Sequence, residues 1–152
     1  MTHLEEGNSA PDFQVLDENG MMRSLKDYRG KKLILFFYPK AMTPGCTNEA
    51  KNLQEFYTEL KKNGFEILGV SPDETKKQVR FKEKYAFTYS LIPDVDKEII
   101  KKYGVWGPKK LYGREYDGLH RTTFVIDEKG TILKIFKKVK TKEHAQQILE
   151  NK

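Results

Sequence analysis

Cys46 is the only cysteine in a chain of 152 residues, and it stands in the stretch "FYPKAMTPGCTNEAKNL", Phe37 to Leu53. An apolar run, Leu33 to Tyr38, ends just before it, and a helical pattern begins just after it. Helix N-termini present unpaired N–H groups and a partial positive charge, so a thiolate placed there gains donors. Thr43 suits the capping position, Pro44 the first helical position, and Gly45 lets backbone approach whatever binds there. The thiolate is the reactive form of cysteine, and the same N–H groups can receive a small anion or a polar oxygen substrate. The chemistry on offer is nucleophilic attack by sulfur. Each residue also has an ordinary reading: Cys46 as a small buried hydrophobe, Thr43–Pro44 as a helix start, Pro39 as a strand end. The combination is more specific than its parts. Pro-x-x-x-Thr-x-x-Cys bridges a buried strand and a helix.

Other chemistries fit less well. A disulfide reductase needs Cys-x-x-Cys, and position 49 is Glu. A cysteine hydrolase needs a histidine base, and the chain offers only His3, His120 and His144, of which His120 adjoins Arg121. One cysteine and three dispersed histidines make no metal ligand set. No glycine-rich phosphate or dinucleotide motif occurs, so no cofactor is expected. Net charge is +6 and the pI about 9.2. The lysines come as scattered doublets interleaved with acids, such as Lys31–Lys32 and Lys137–Lys138, which describes a solvated surface rather than a nucleic-acid face.

The elements that must position Cys46 follow from period and punctuation. "FQVLDENGMMRSL" reads as a hairpin around Asn19–Gly20. "KKLILFFYP" is a continuous apolar run, as for a strand covered on both faces. Ala50, Leu53, Phe56 and Leu60 fall at helical spacing until Asn63–Gly64. "FEILGVSP" is a second buried strand, and "DETKKQVRFKEKYA" a helix opened by Asp73. "LIPDVDKEIIKKYGV" gives a short strand and helix. "WGPKKLYGREYDGLH" has no clear period and reads as a long loop, its aromatics and those nearby (Tyr103, Trp106, Tyr112, Tyr116) as packing. "TTFVIDEKGTILKIF" gives two strands around a turn at Asp127–Gly130, and "KEHAQQILE" a closing helix. The sum is one α/β domain over residues 1–152, with a mixed central sheet flanked by helices. Its size suits a single core. No run is long enough to cross a bilayer, the first residues do not read as a signal peptide, and a solitary thiol points to a reducing, cytoplasmic setting.

"FFYPKAMTPGCTNEA" resembles the active-site segment of the peroxiredoxins, in particular the bacterioferritin comigratory protein or peroxiredoxin Q subfamily. "APDFQVLDENG" is similar to that family's N-terminal hairpin, and "YGVWGPKKLYGREYDGLHRTTFVIDEKG" to its later loop and strand. The resemblance covers nearly the whole chain and implies a thioredoxin-like fold and thiol-dependent reduction of hydrogen peroxide and organic hydroperoxides. By the match, Cys46 is the peroxidatic cysteine, Thr43 bonds the thiolate and the peroxide, and Pro39 shields the site. Arg121, in Arg-x-Thr-Phe-x-x-Asp, arrives from a distant strand, and Glu49 helps orient it. The N–H groups of Gly45 and Cys46 complete the set of donors aimed at the departing oxygen.

The sequence departs from that pattern in two places. The resolving cysteine that many members carry five residues after the peroxidatic one is here Lys51, and the next helix has none. That implies a one-cysteine cycle in which an outside thiol, such as thioredoxin or glutathione or a second copy of the chain, attacks oxidised Cys46. Ala41–Met42 replaces acidic or polar residues of relatives, and reads as an apolar rim that favours organic hydroperoxides. A redox sensor that forms a mixed disulfide with a partner, and a non-catalytic binding or holdase scaffold, remain as alternatives. The expected state is a monomer or weak homodimer, with no nucleic-acid or membrane partner.

Overall fold

The computed structural model describes residues 2–151. The chain opens with a hairpin, β1 (Gln14–Leu16) and β2 (Met22–Ser24), followed by a 3-10 turn at Leu25–Tyr28. Then come β3 (Lys32–Phe37), α1 (Pro44–Glu55), α2 (Tyr57–Lys62), β4 (Phe65–Ser71) and α3 (Thr75–Tyr85). After β5 (Ser90–Pro93) and α4 (Glu98–Lys102), β6 (Trp106–Leu111) and β7 (Arg114–Leu119) form a second hairpin. The chain closes with β8 (Thr122–Ile126), β9 (Ile132–Phe136) and α5 (His144–Glu150). The central sheet has the order β5-β4-β3-β8-β9. β3, β4 and β5 run parallel, and β8 and β9 are antiparallel to their neighbours.

β3 explains why its sequence has no polar alternation. Leu33, Leu35 and Phe37 enter one core with Leu68, Val70 and Phe124, under the N-terminal hairpin and α4. Ile34, Phe36 and Tyr38 enter the other with Leu53, Phe81 and Ala145, under α1, α3 and α5. Successive side chains of a strand point to opposite faces, so a strand sandwiched between two cores is apolar at every position.

Three local readings are revised. The run from Thr47 to Asn63 is two helices, because Phe56 stands outside helical geometry (φ −97°, ψ 13°) between α1 and α2. Gly64, at φ +84°, ends the second, in the left-handed region that glycine enters without strain. Glu74, not Asp73, occupies the N-cap of α3, because the Asp73 carboxylate is engaged elsewhere. The expected long loop is the β6–β7 hairpin, paired from Trp106↔Leu119 to Leu111↔Arg114. Most of its side chains are exposed on both faces, so no apolar period marks it. Its readable signal is Tyr112–Gly113, both at positive φ (52° and 77°), as a two-residue hairpin turn requires. Tyr112 is therefore exposed rather than packed, Tyr116 is also exposed, and Tyr103 is buried. No helix among the described residues is long and apolar enough to cross a membrane.

Candidate active site

The site forms where β3 ends. Pro39 follows Tyr38, whose N–H donates to Val70 O (3.0 Å) and holds the end of β3 to β4. The turn that follows is tied down from across the sheet. Ala41 N–H donates to Asp73 Oδ2 (2.6 Å), and Ser71 Oγ donates to the same oxygen (2.7 Å). Gln78 in turn donates to Ser71 Oγ (2.7 Å) and accepts from the Tyr38 hydroxyl (2.5 Å). This buried chain of bonds returns to β3, and it holds Met42 at φ 71°, where a side chain other than glycine's is strained. Ala41 is buried, so it forms no rim, whereas Met42 is exposed. The apolar-rim reading of this pair thus rests on Met42 alone.

Thr43 is the N-cap residue of α1 and Pro44 its first residue, as the spacing predicts. The Thr43 hydroxyl, however, donates to Lys40 O (2.6 Å) and caps no helix N–H. Among the described residues it makes no bond to Cys46, so the expected contact with the sulfur is not formed in this state.

Cys46 has no exposed surface. Its sulfur accepts from Arg121 Nη2 at 3.3 Å. The sheet register makes this contact across a long stretch of chain. Phe37 at the end of β3 pairs with Thr122 at the start of β8, which brings the residue before Thr122 beside the turn that carries Cys46. His120 N–H donates to Val105 O (2.7 Å) and Thr122 Oγ1 donates to His120 O (2.8 Å), which fixes the backbone on both sides of Arg121. Gly45 leaves room for the guanidinium: a Cβ there would stand 3.2 Å from Arg121 Nη2. What approaches Gly45 closely is therefore the arginine.

Arg121 Nη1 donates to Glu49 Oε1 at 2.6 Å. Glu49 lies fully buried one turn beyond Cys46. Burial pushes its carboxyl up to about 7, against the pull of the Arg121 charge and hydrogen bond. Its other oxygen, Oε2, has no hydrogen-bond partner among the described residues and faces His144 Nε2 at 3.8 Å. His144 is likewise buried, and burial pushes it down to about 4, which keeps the ring neutral. Asn52 brings His144 here by docking α5 on α1. It accepts from Ala145 N–H (2.6 Å) and donates to Lys142 O (3.0 Å) and Gln146 Oε1 (3.1 Å).

Cys46, Arg121, Glu49 and Gly45 therefore converge, Thr43 and Pro39 lie on the adjoining turn, and His144 and Asn52 are additions that no local motif announces. A sulfur with a guanidinium aimed at it, at a helix start and out of bulk water, is arranged to attack an electrophile and to stabilise the charge it displaces.

The AhpC/TSA family profile matches residues 7–135. The chain belongs to that family. It is 42% identical to peroxiredoxin Bcp of Escherichia coli, over 98% of this chain and 96% of that one. Among solved structures it is similar to Xylella fastidiosa PrxQ, with a TM-score of 0.92 at 28% identity, over 99% and 96% of the two chains. It is also similar to the bacterioferritin comigratory protein of Xanthomonas campestris, which has alkyl peroxide reduction activity, with a TM-score of 0.85 at 32% identity. That alignment covers 91% of this chain and 88% of the other. The fold is thus the thioredoxin-like fold of the peroxiredoxins, and the chain is a thiol-dependent peroxidase.

Proposed function

We propose that Cys46 is the peroxidatic sulfur of a one-cysteine cycle carried by a single thioredoxin-like domain. The observation that supports this most directly is the Arg121 guanidinium, which donates to Cys46 Sγ at 3.3 Å while Glu49 holds its other arm at 2.6 Å. Burial alone would fit an inert core cysteine, but such a cysteine has no reason to face a cation. The thiolate attacks the outer oxygen of the hydroperoxide. The S–O bond forms, the O–O bond breaks, and the departing oxygen takes the proton, leaving a sulfenic acid and an alcohol or water. Arg121 and the N–H groups of Gly45 and Cys46 are the donors that meet the charge on the departing oxygen. Pro39 limits water at the site. The Thr43 hydroxyl joins the donors once it leaves Lys40.

Lys51, at the position where many relatives carry the resolving cysteine, is exposed and sits over the Tyr85 ring. An outside thiol therefore attacks the sulfenic acid, expelling water and forming a mixed disulfide that a second thiol reduces. Thioredoxin and glutathione are the reductant classes, with organic hydroperoxides among the substrates and the cytoplasm as the setting. A monomer or weak homodimer serves this cycle.

The test is an equimolar hydrogen peroxide pulse on reduced protein, read by intact mass with a dimedone trap and a Cys46→Ser control. Oxidation within seconds, confined to the unsubstituted protein, is expected. A mass unchanged for many minutes would remove the proposal.

A further inference from the structure

Glu49 Oε2, which lacks a hydrogen-bond partner among the described residues, has no part in the peroxidatic reading. It is fully buried, and the group in front of it is His144. The tautomer of that ring is fixed from outside the site. Lys140 N–H donates to Gln147 Oε1 (2.8 Å) and Gln147 Nε2 donates to Lys138 O (3.1 Å), so the amide has one orientation. Gln147 Oε1 faces His144 Nδ1 at 2.9 Å and can only accept, so Nδ1 carries the proton. Nε2 then presents a lone pair, which accepts from Thr123 Oγ1 (2.8 Å) and confronts Glu49 Oε2. A carboxylate there would face an unprotonated ring nitrogen with no donor to meet its charge, whereas a protonated Oε2 carries no charge to be met.

The geometry points to His144 as a positioning residue for the peroxidase reaction, which acts through Glu49 by keeping its proton on Oε2. This rests on Cys46 as the peroxidatic sulfur. With Glu49 neutral, Arg121 meets only a carbonyl oxygen at Oε1, and its charge serves the sulfur and the departing oxygen. Glu49 keeps its own proton throughout. The S–H bond of Cys46 breaks, its proton goes to solvent, and Arg121, Cys46 and Glu49 together pass from a net +1 to neutral. The departing oxygen later takes up one proton from solvent, so the count closes. The ionisable groups facing Glu49 among the described residues are Cys46 from its own helix, Arg121 ahead of β8, His144 from α5 and Tyr89 ahead of β5. Burial holds the Tyr89 phenol far above its ordinary value, so it stays neutral throughout.

The oxidation rate of Cys46 by hydrogen peroxide, measured by rapid quench and intact mass between pH 5 and 9, tests this. The rate is expected to show a falling limb above about 7, where Glu49 ionises and claims Arg121. His144→Gln offers Oε2 an amide donor. Gln147→Leu frees the ring to place its proton on Nε2 without opening the core. Both are expected to shift the falling limb to lower pH and to slow oxidation at pH 7 by up to about five-fold, because a charged acceptor for Arg121 slows it about ten-fold and half of Glu49 is already ionised there in the unsubstituted protein. Glu49→Gln is expected to abolish the falling limb. Infrared titration of the reduced protein is the second readout: a protonated carboxyl band absent in Glu49→Gln titrates at lower pH in the His144 and Gln147 variants. A falling limb and a carboxyl titration unmoved in both variants would overturn the proposal, whatever their stability. If peroxide oxidises none of these proteins, the peroxidatic reading fails, and the infrared titration alone decides whether His144 governs Glu49.

Discussion

Replacing Glu49 by glutamine is expected to change how stability depends on pH, and the structure fixes both sign and size. Burial raises the Glu49 carboxyl from 4.5 to about 7. The folded protein therefore keeps a proton that the unfolded chain has released, so this contribution is full below about 4.5 and is lost as pH rises through about 7. His144 does the reverse. Burial lowers it from 6.5 to about 4, so its contribution is full above 6.5 and is lost as pH falls through about 4. Each displacement covers about 2.5 pH units, worth about 3 kcal/mol. The two slopes are opposite and overlap between about 4.5 and 6.5, so the wild-type pair contributes little net pH dependence there. Glu49→Gln removes the falling slope. Its amide keeps an oxygen for Arg121 Nη1 and offers a donor toward His144 Nε2, so the site need not collapse. Relative to wild type, the variant is expected to gain about 3 kcal/mol as pH rises from 4.5 to 7. Urea unfolding of both reduced proteins, followed by far-UV circular dichroism at half-unit pH steps, gives the difference directly. Every other titrating group cancels in that difference. Two stability curves that run parallel would refute the reasoning, since they would mean that folded Glu49 holds no proton above its unfolded value.

Three further outcomes test the geometry around the sulfur. Arg121→Lys leaves one ammonium to serve two acceptors that a planar fork now holds at 2.6 and 3.3 Å, and peroxide oxidation of Cys46 is expected to slow about 100-fold. Gly45→Ala places a Cβ 3.2 Å from Arg121 Nη2, which must shift by a few tenths of an ångström. Oxidation about ten-fold slower, with an unchanged unfolding midpoint, is expected, because misplacement of a donor affects the rate before it affects the fold. Asn52→Ala deletes the bonds to Ala145, Lys142 and Gln146, and urea unfolding should report a loss of about 2–3 kcal/mol.

How much of this was legible in the sequence depends on where each signal resides. β3 was readable because burial on both faces makes it apolar throughout, and the start of α1 because Thr43 and Pro44 are local cues. Arg121 was not readable from its own surroundings. It lies 75 residues from Cys46, and only the family pattern singled it out, although the β3–β8 register explains the contact once the sheet is built. His144 and Asn52 had no such pattern in view. Their partners are up to 95 residues away, as His144 is from Glu49, and an isolated histidine on a short amphipathic helix looks like any other. Asp73 misled for a related reason: it has the residue type of a cap, but the Ala41 N–H from across the sheet competes for it and wins. The β6–β7 hairpin escaped because hydrophobic period reports burial, and a hairpin exposed on both faces has none to report.

The burial of Cys46 places two demands on the same turn of helix. Attack on peroxide is favoured by fixed donors in a site without bulk water, and on the proposed cycle Arg121, held by Glu49, and the tethered turn at Ala41 supply that. Attack by an outside thiol needs an approach in line with the S–O bond, and a sulfur with no exposed surface offers none. The attachments mark where movement must occur. Ala41 is bonded to Asp73 on one side, and Glu49 and Asn52 are bonded to Arg121 and α5 on the other. Between them lie Met42 to Asn48, which include a strained φ at Met42 and a Thr43 hydroxyl bonded only to its own turn. Once the thiolate has become a sulfenic acid, Arg121 faces a neutral partner in place of an anion, and its attraction to the sulfur weakens. On the proposed cycle the chemical step thereby weakens the Arg121 tie to the segment that carries the sulfur, while the bonds of Ala41 to Asp73 and of Asn52 to α5 on either side are untouched by it.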